Sequence, residues 1–368
     1  RFQLDYPMDS ELLRENFEVL DIDPNFTLGN NSVISILKDE TIQEIFEEKY
    51  ESQDEVFLNL VNIYSKRNDD SYLINIVYQI YTFIQSKKEP IKWLYEQAEK
   101  YNIKNINDSE YMSVMKKDIR LNIESLKSII QNAIDLCKNA NLKYEETLIQ
   151  DMENLIYLEQ ILQKDYDLFI KEVSQLKYPK LKSIRKNEDV DMSVVEKVKN
   201  IRDYHIKKYG FEELKKHNIT TSIYAKQMKD YYPVILSLCK LVEEFASRYM
   251  VAKLEKNIFD FNDLEHQTLK ILNDEDCANK LKQKYKYIFY DEYQDSNEVQ
   301  DTIIQKIASK DNLFFVGDVK QSIYRFRLAE PQIFIDKYEL YKADENSKKI
   351  DLSENFRSSS RVIDFCNM

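Results

Sequence analysis

Two carboxylates follow directly on an apolar run, Tyr287-Ile288-Phe289-Tyr290 leading into Asp291 and Glu292. A buried strand ending at such a pair delivers both side chains to the carboxyl edge of a sheet, where open α/β folds bind ligands. Asp291 is then suited to hold Mg2+, which takes one or two carboxylates plus water and phosphate oxygens. Glu292, on a different face, is suited to orient or deprotonate an attacking water. Taken alone, an acidic strand end before a turn is more often structural than catalytic. A second apolar run, Leu313-Phe314-Phe315-Val316, ends at Gly317-Asp318-Val319-Lys320-Gln321. Gly317 permits an immediate backbone turn, and Gln321 can hydrogen-bond a terminal phosphate or the attacking water. Tyr324 and Phe326 alternate with Arg325 and Arg327. Aromatic faces beside guanidinium groups suit unpaired bases and their phosphates, while the same two rings also suit a core. Further on, Asn355-Phe356-Arg357-Ser358-Ser359 offers an arginine beyond the last expected strand, and an arginine from a neighbouring domain often triggers phosphoryl transfer.

The elements that must position these residues are an α/β layer preceded by many helices. Residues 297–309 have helical spacing through Val299, Ile303, Ile304 and Ile307, so strand, helix and strand predict a right-handed βαβ unit. Lys349-Ile350-Asp351-Leu352 reads as one further strand. From about 32 to 252 the chain reads as helix after helix, with proline confined to Pro90, Pro179 and Pro233. The series Met115, Ile119, Ile123, Leu126, Ile130, Ala133, Cys137, Ala140 keeps one apolar helical face, as does Leu148, Met152, Leu155, Leu162, Tyr166, Phe169, Val173, Leu176. In the second series Glu159 alone is out of pattern. Two long antiparallel helices joined near Asn139-Ala140-Asn141 are expected, with Pro179 ending the second.

Composition narrows the chemistry. With 368 residues, 43% hydrophobic and 32% charged, the chain predicts two or three units with their own cores and a solvated surface. It has no apolar run of membrane-spanning length and no cleavable leader, so the cytoplasm is the expected compartment. Cys137, Cys239, Cys277 and Cys366 form no C-x-x-C pair, and His205, His217 and His266 have no metal-ligand spacing, which argues against zinc chemistry and a disulfide framework. The net charge of -12 is local: residues 1–60 carry fifteen acidic side chains against four basic ones. Lys180 to Lys216 reverses the balance, with eleven basic residues against seven acids. That stretch can track phosphates or form a solvated helix face.

Together the three segments resemble motifs II, III and IV of superfamily 1 DNA helicases of the UvrD/RecB type, and most of all the large subunits of Add-type helicase–nucleases. Leu13-Arg14-Glu15-Asn16-Phe17, Leu20-Asp21-Ile22-Asp23-Pro24-Asn25-Phe26, Ile45-Phe46-Glu47-Glu48 and Phe57-Leu58-Asn59-Leu60 extend the likeness. Phe259-Asp260-Phe261-Asn262-Asp263-Leu264 resembles the lead into motif II, and an Asp or Asn there also suits a cap on the next helix. The resemblance implies a partial RecA-like P-loop NTPase motor domain with a large all-α insertion, mostly helical overall. Its parts are a segment after the early motifs (1–30), a helical insertion (31–252), the returning half of the first motor domain with motifs II and III (253–348), and the start of the second motor domain with motif IV (349–368).

By the same resemblance Asp291 holds Mg2+, Glu292 is the catalytic base, Gln321 senses the γ-phosphate of ATP, Phe356 packs near the adenine and Arg357 is the arginine finger. Tyr324, Phe326 and Arg327 contact single-stranded DNA, Phe326 standing where UvrD-type motors usually have Trp. The implied partners are single- and double-stranded DNA and an AddB-type nuclease subunit in a heterodimer, with no membrane. The implied role is ATP-driven translocation in the processing of double-strand breaks for recombinational repair. A stand-alone helicase without nuclease, and a non-catalytic helical binding module, are the alternatives. With glycine only at 29, 210 and 317, no G-x-x-x-x-G-K-[ST] phosphate loop occurs. The loop is expected upstream of residue 1, the rest of the second motor domain and the nuclease downstream of Met368, and the chain alone is expected not to turn over ATP.

Overall fold

The computed structural model describes residues 6–20, 22–66, 69–184, 190–309, 311–354 and 358–366, with the side chains of residues 6–9 and 327 excluded. The chain forms two compact units, Arg1–Leu94 with Leu238–Met368, and Tyr95–Ser237.

The first unit begins with α1 (Tyr6–Glu15), α2 (Phe17–Leu20) and strand β1 (Thr27–Leu28). Helices α3 (Asn31–Glu51), α4 (Glu55–Tyr64), α5 (Ser71–Ile84) and the start of α6 (Pro90–Glu99) follow. Asn30 and Asp54 cap α3 and α4 through their side chains, the usual way orphan amides at a helix start are satisfied. No helix among the described residues is long and apolar enough to cross a membrane.

The second unit continues with α7 (Glu110–Asn139), α8 (Glu145–Lys164), α9 (Tyr166–Gln175) and α10 (Met192–Asn200). A π-helical segment, Ile201–Phe211, runs on into the short α11 (Glu212–Leu214), and α12 (Thr221–Glu255) carries the chain back into the first unit's residues. The apolar face expected on α7 is its buried face: Ile119, Ile123, Leu126, Ile130, Ala133 and Cys137 join one core with Leu148, Leu155, Leu162, Tyr166, Phe169 and Val173, Met115 and Ala140 pack against it only partly buried, and Met112 extends it. Lys127 pairs with Glu159 of α8 at 2.7 Å and Tyr166 at the start of α9 donates to Met115 Sδ at 3.6 Å, so α7 runs antiparallel to α8 and the start of α9. Glu159, the residue out of pattern, is thus the acceptor of a cross-helix ion pair. The second stripe is two helices rather than one. Asp165 adopts an extended backbone and its carboxylate accepts from Leu168 N at 3.0 Å, which ends α8 and caps α9. Nor does Pro179 end this run, since α9 stops at Gln175 and the Pro179 carbonyl accepts from Arg202 at 2.8 Å.

The first unit resumes with β2 (Ile258–Phe259), α13 (Phe261–Ile271), α14 (Glu275–Lys284), β3 (Ile288–Tyr290), α15 (Glu298–Ile307), β4 (Leu313–Phe315), α16 (Pro331–Ala343) and α17 (Ser360–Cys366). β1 pairs in parallel with β2, and β3 pairs in parallel with β4 through Ile288↔Leu313, Phe289↔Phe314 and Tyr290↔Phe315. The expected strand–helix–strand unit is therefore present. α13 is buried on two sides: Leu264 and Ile271 pack with Leu13, Phe26 and Phe259, whereas Leu269 and Leu272 pack with Ile288, Val299 and Ile303.

Between β1 and β2 the regular elements among the described residues are all helices, apart from one Lys66–Asp69 bridge. The boundaries between the two compact units fall within this span, at 94/95 and 237/238. The physical cause is aromatic: Tyr81 of α5 meets Phe245 and Tyr249 of α12 edge-on at 5.2 and 5.7 Å, and Arg248 makes a two-pronged contact with Glu48 at 2.6 and 2.8 Å. Residues 349–352 form no strand. Ile350 and Leu352 are 62% and 89% exposed, and Lys349 instead donates to Tyr338 Oη at 2.6 Å and pairs with Asp351 at 2.7 Å. Side chains, not a ladder, fasten this segment to α16.

One buried charge cluster fixes the entry to α13. Asp260 and Asp263 cap the helix reciprocally, each accepting from the other's backbone N–H at 3.0 and 2.7 Å. Lys253, 1% exposed, reaches both carboxylates at 2.9 and 2.6 Å beneath the Tyr249 ring. Burial, helped by the Asp260 charge and opposed by Lys253, pushes Asp263 up to about 6. Removing the lysine leaves two carboxylates uncompensated, a loss that costs roughly 3–5 kcal/mol for a buried pair. Lys253→Met is expected to lower unfolding free energy by about that amount in denaturant titration. A change under about 1 kcal/mol would show that solvent reaches the cluster.

Candidate functional site

The site begins at the register of β3 and β4. Two backbone bonds extend the ladder beyond the strands, Val316 N to Tyr290 O at 2.8 Å and Tyr293 N to Val316 O at 2.9 Å. Tyr293 is buried, stacks on Phe315 at 4.2 Å and donates its hydroxyl to Asp301 of α15 at 2.5 Å. Burial and that carboxylate push the phenol far above its ordinary range. Lys337 of α16 also reaches Asp301, at 3.6 Å. With Tyr293 clamped, Asp291 and Glu292 are held as an exposed pair at the sheet's edge.

Glu292 does not owe its direction to strand alternation. Its backbone is left-handed, φ 54 and ψ 38, a conformation that costs a non-glycine residue on the order of 1–3 kcal/mol. Its N–H donates to Asp291 Oδ1 at 3.0 Å, and its carboxylate accepts from Gln294 Nε2 at 2.8 Å. Gln294 is buried, and its other amide atom, Oε1, accepts from Asp318 N at 3.0 Å. Asp318 in turn accepts from Gln321 Nε2 at 3.0 Å, and that bond is the main cause holding the Asp318 carboxyl below its usual range. Glu292, Gln294, Asp318 and Gln321 thus form one hydrogen-bonded chain across the two strand ends.

Gly317 serves this chain by close approach. Its φ is not positive, so no special turn requires glycine. A Cβ there would lie 2.5 Å from Gln294 Oε1 and 2.9 Å from Phe334. The space a side chain would fill is occupied by the bridging amide. Beside it, Asp295 Oδ1 is buried with no hydrogen-bond partner among the described residues. Burial first, and the Glu292 charge second, push this carboxyl up.

Tyr324 and Phe326 sit on the loop that follows, their rings 5.7 Å apart, with Tyr324 38% and Phe326 75% exposed. Phe326 is therefore not a core residue. The loop closes through Leu328 in a left-handed conformation, φ 64, whose N–H donates to Arg325 O at 3.0 Å. Glu330 then donates its N–H to Ser296 O at 2.9 Å, and its carboxylate meets Lys87 Nζ at 2.9 Å. Lys87 is itself buried and also approaches Glu298 at 3.9 Å. Thus the base of the aromatic loop is fastened to the residue after Asp295. The Arg327 side chain, Phe356 and Arg357 lie outside the described residues.

Gln294, Tyr293 and Lys87 escape a reading based on reactive residue types. A buried glutamine between a tyrosine and an aspartate carries no periodicity, and Lys87 meets Glu330 across 243 positions. The bridge makes a coupled prediction. Gln294→Ala leaves the Asp318 amide without its acceptor, at a cost of about 1–3 kcal/mol, and Gly317→Ala overpacks the same space, at about 1–3 kcal/mol. The double variant should lose less than the sum in chemical denaturation, because the alanine at 294 removes the closer of the two clashes and leaves only that with Phe334. Additive losses would sink the idea that the two positions share one space.

The UvrD/REP helicase N-terminal domain family matches residues 8–342. The chain is 40% identical over 97% of its length to the A subunit of the ATP-dependent helicase/nuclease of Clostridium novyi (strain NT). It is 37% identical over 97% to the protein of that name from Alkaliphilus oremlandii (strain OhILAs), and 35% over 97% to that of Clostridium beijerinckii (strain ATCC 51743 / NCIMB 8052). It spans 30% of the length of each of these relatives. With the family match covering most of its residues, the chain belongs to the UvrD/REP helicase family, whose N-terminal domain has the P-loop NTPase fold.

Proposed function

We propose that the chain is part of an ATP-driven DNA motor of a helicase–nuclease, with nucleotide chemistry at the β3–β4 edge and single-stranded DNA at the Tyr324–Arg327 loop. The observation that carries this reading is the hydrogen-bonded chain from Glu292 to Gln321, which begins at the acid pair and ends three residues before the exposed aromatic loop. A motor needs such a connection, since hydrolysis at one place must change grip at another.

Two exposed carboxylates at a parallel sheet edge are a donor set that fits Mg2+ completed by water and phosphate oxygens. In this proposal Asp291 holds the ion and, when bound, Mg2+ neutralises charge on the transferring phosphoryl group. Glu292, fixed by Gln294, orients the attacking water and accepts its proton. Gln321, steadied by Asp318, senses the terminal phosphate. Phe356 beside the adenine and Arg357 as the arginine finger complete the nucleotide site, and Arg327 joins Tyr324 and Phe326 on DNA. The helical span between β1 and β2 is proposed as the insertion of the motor domain, and 349–368 as the start of the second motor domain. We assign the chain a nuclease partner of the AddB type. DNA as substrate, with double-strand-break repair as the role, would make the cytoplasm the working compartment.

In the full-length enzyme, Glu292→Gln keeps an acceptor for Gln294 yet cannot take a proton. ATP binding should persist while hydrolysis falls by about 10²–10⁴-fold; preserved steady-state turnover would remove Glu292 from its assigned role. Phe326→Ala should weaken binding to oligo-dT by about 1–3 kcal/mol if a base stacks on that ring. Equal affinity in fluorescence anisotropy would argue against DNA at this loop. Finally, the 368-residue chain alone should show no helicase-like ATP turnover in a radiolabel assay, since it contains no G-x-x-x-x-G-K-[ST] loop to cradle the β- and γ-phosphates.

A further inference from the structure

The basic stretch from Lys180 to Lys216 is less positive in space than in sequence. Lys182, Lys207, Lys215 and Lys216 pair with Glu146, Asp203, Glu212 and Glu213, and Arg202 is buried against Asp151 at 2.6 Å. Lys197, Lys199 and Lys208 are exposed and enter no ion pair among the described residues. Lys208 lies in the Ile201–Phe211 segment, which is π-helical over eleven residues. Such winding is rare, mostly confined to single turns, and frequent at functional sites.

The winding has a specific product. Hydrogen bonds from i to i+5 widen each turn, so residues five apart come to share a face; in an α-helix they would stand about 140° apart. Tyr204 and Tyr209 are five apart. Their rings meet at 4.6 Å, their hydroxyls at 3.1 Å, and they are 45% and 50% exposed. Lys208 Nζ lies 5.0 and 5.4 Å from the two ring centres, and His205 packs edge-on against Tyr204 at 5.6 Å. The opposite face is locked into the core: Arg202, Ile206, Gly210 and Phe211 are buried, and a Cβ on Gly210 would lie 2.4 Å from Leu126. The Arg202–Asp151 pair leaves Arg202 Nη1 buried without a partner among the described residues. A packed face with an imperfectly satisfied ion pair holds an unusual backbone whose outward result is a pair of tyrosines beside an ammonium group.

We infer that Tyr204, Tyr209 and Lys208 form a second contact for single-stranded nucleic acid, an unpaired base stacking on the tyrosine pair while a phosphate pairs with Lys208. Sequence-tolerant strand binding uses this chemistry of aromatic faces and nearby cations, and the neighbouring exposed Lys197 and Lys199 add charge of the sign a polyanion needs. The inference rests on DNA as the ligand proposed above, but on different residues.

The test begins with the unmodified full-length protein, irradiated with an oligo-dT carrying 5-iododeoxyuridine, and maps crosslinked peptides by mass spectrometry. Crosslinks at Tyr204 or Tyr209 are expected. Crosslinks at the Tyr324–Arg327 loop alone would overturn this second contact and spare the first; none at either place would overturn both. In anisotropy with oligo-dT, the Tyr204→Ala/Tyr209→Ala double variant should raise Kd by about fivefold or more, whereas Tyr204→Phe/Tyr209→Phe, which keeps both ring faces, should stay close to the parent. Lys208→Gln should reduce the salt slope by about 0.7. An alanine pair with unchanged Kd and unchanged far-ultraviolet circular dichroism would overturn the inference.

Discussion

A single buried amide, the side chain of Gln294, spans the gap between the ends of β3 and β4, and the order of the candidate site follows from where its two polar ends go. One end steadies the Glu292 carboxylate and the other receives the Asp318 amide. Both bonds need the amide to lie against a backbone with no side chain, which makes Gly317 a packing requirement. Around this bridge the strained turn at Glu292 persists because Tyr293 is clamped by Phe315 and Asp301. Backbone strain of this kind survives only where its surroundings over-determine it.

The same geometry explains how two chemically different surfaces lie on one short stretch of chain. Residues 291–296 contact the 317–322 segment through side chains and the 328–330 segment through backbone. A displacement of the acid pair therefore has a short, bonded route to the loop that presents Phe326. Whatever moves Gln294 also moves the partner of Asp318, and Asp318 holds Gln321.

Much of this is legible from residue order because local rules decide it. The apolar runs at 287–290 and 313–316 do pair as parallel strands, though with Phe289 and Phe314 half exposed rather than buried on both faces as their composition suggests, and the spacing of Val299, Ile303, Ile304 and Ile307 leaves the crossover helix little freedom. The face of α7 is equally plain. Pattern fails where a single contact overrides it. Asp165 breaks an otherwise continuous apolar stripe by offering its carboxylate to the next helix start. Lys349-Ile350-Asp351-Leu352 has strand composition, but composition supplies no neighbour to pair with. The π winding of 201–211 is equally silent, since what holds it is the pairing of Arg202 with Asp151, 51 positions earlier, and a glycine pressed on Leu126. The chain from Glu292 to Gln321 reads in sequence as separate reactive groups because a bridging glutamine announces no chemistry of its own.

The Lys87–Glu330 contact has a consequence in time. Its partners are separated by 243 positions. At a synthesis rate of about 5–20 residues per second, the lysine precedes its carboxylate by roughly 12–50 s on the ribosome. During that interval α5 and the start of α6 exist without the partner that lets an ammonium group be buried between Phe83 and Trp93. The base of the aromatic loop is thus among the last parts of this chain that can settle, and the helices before it must wait with an open, cation-bearing surface until it arrives.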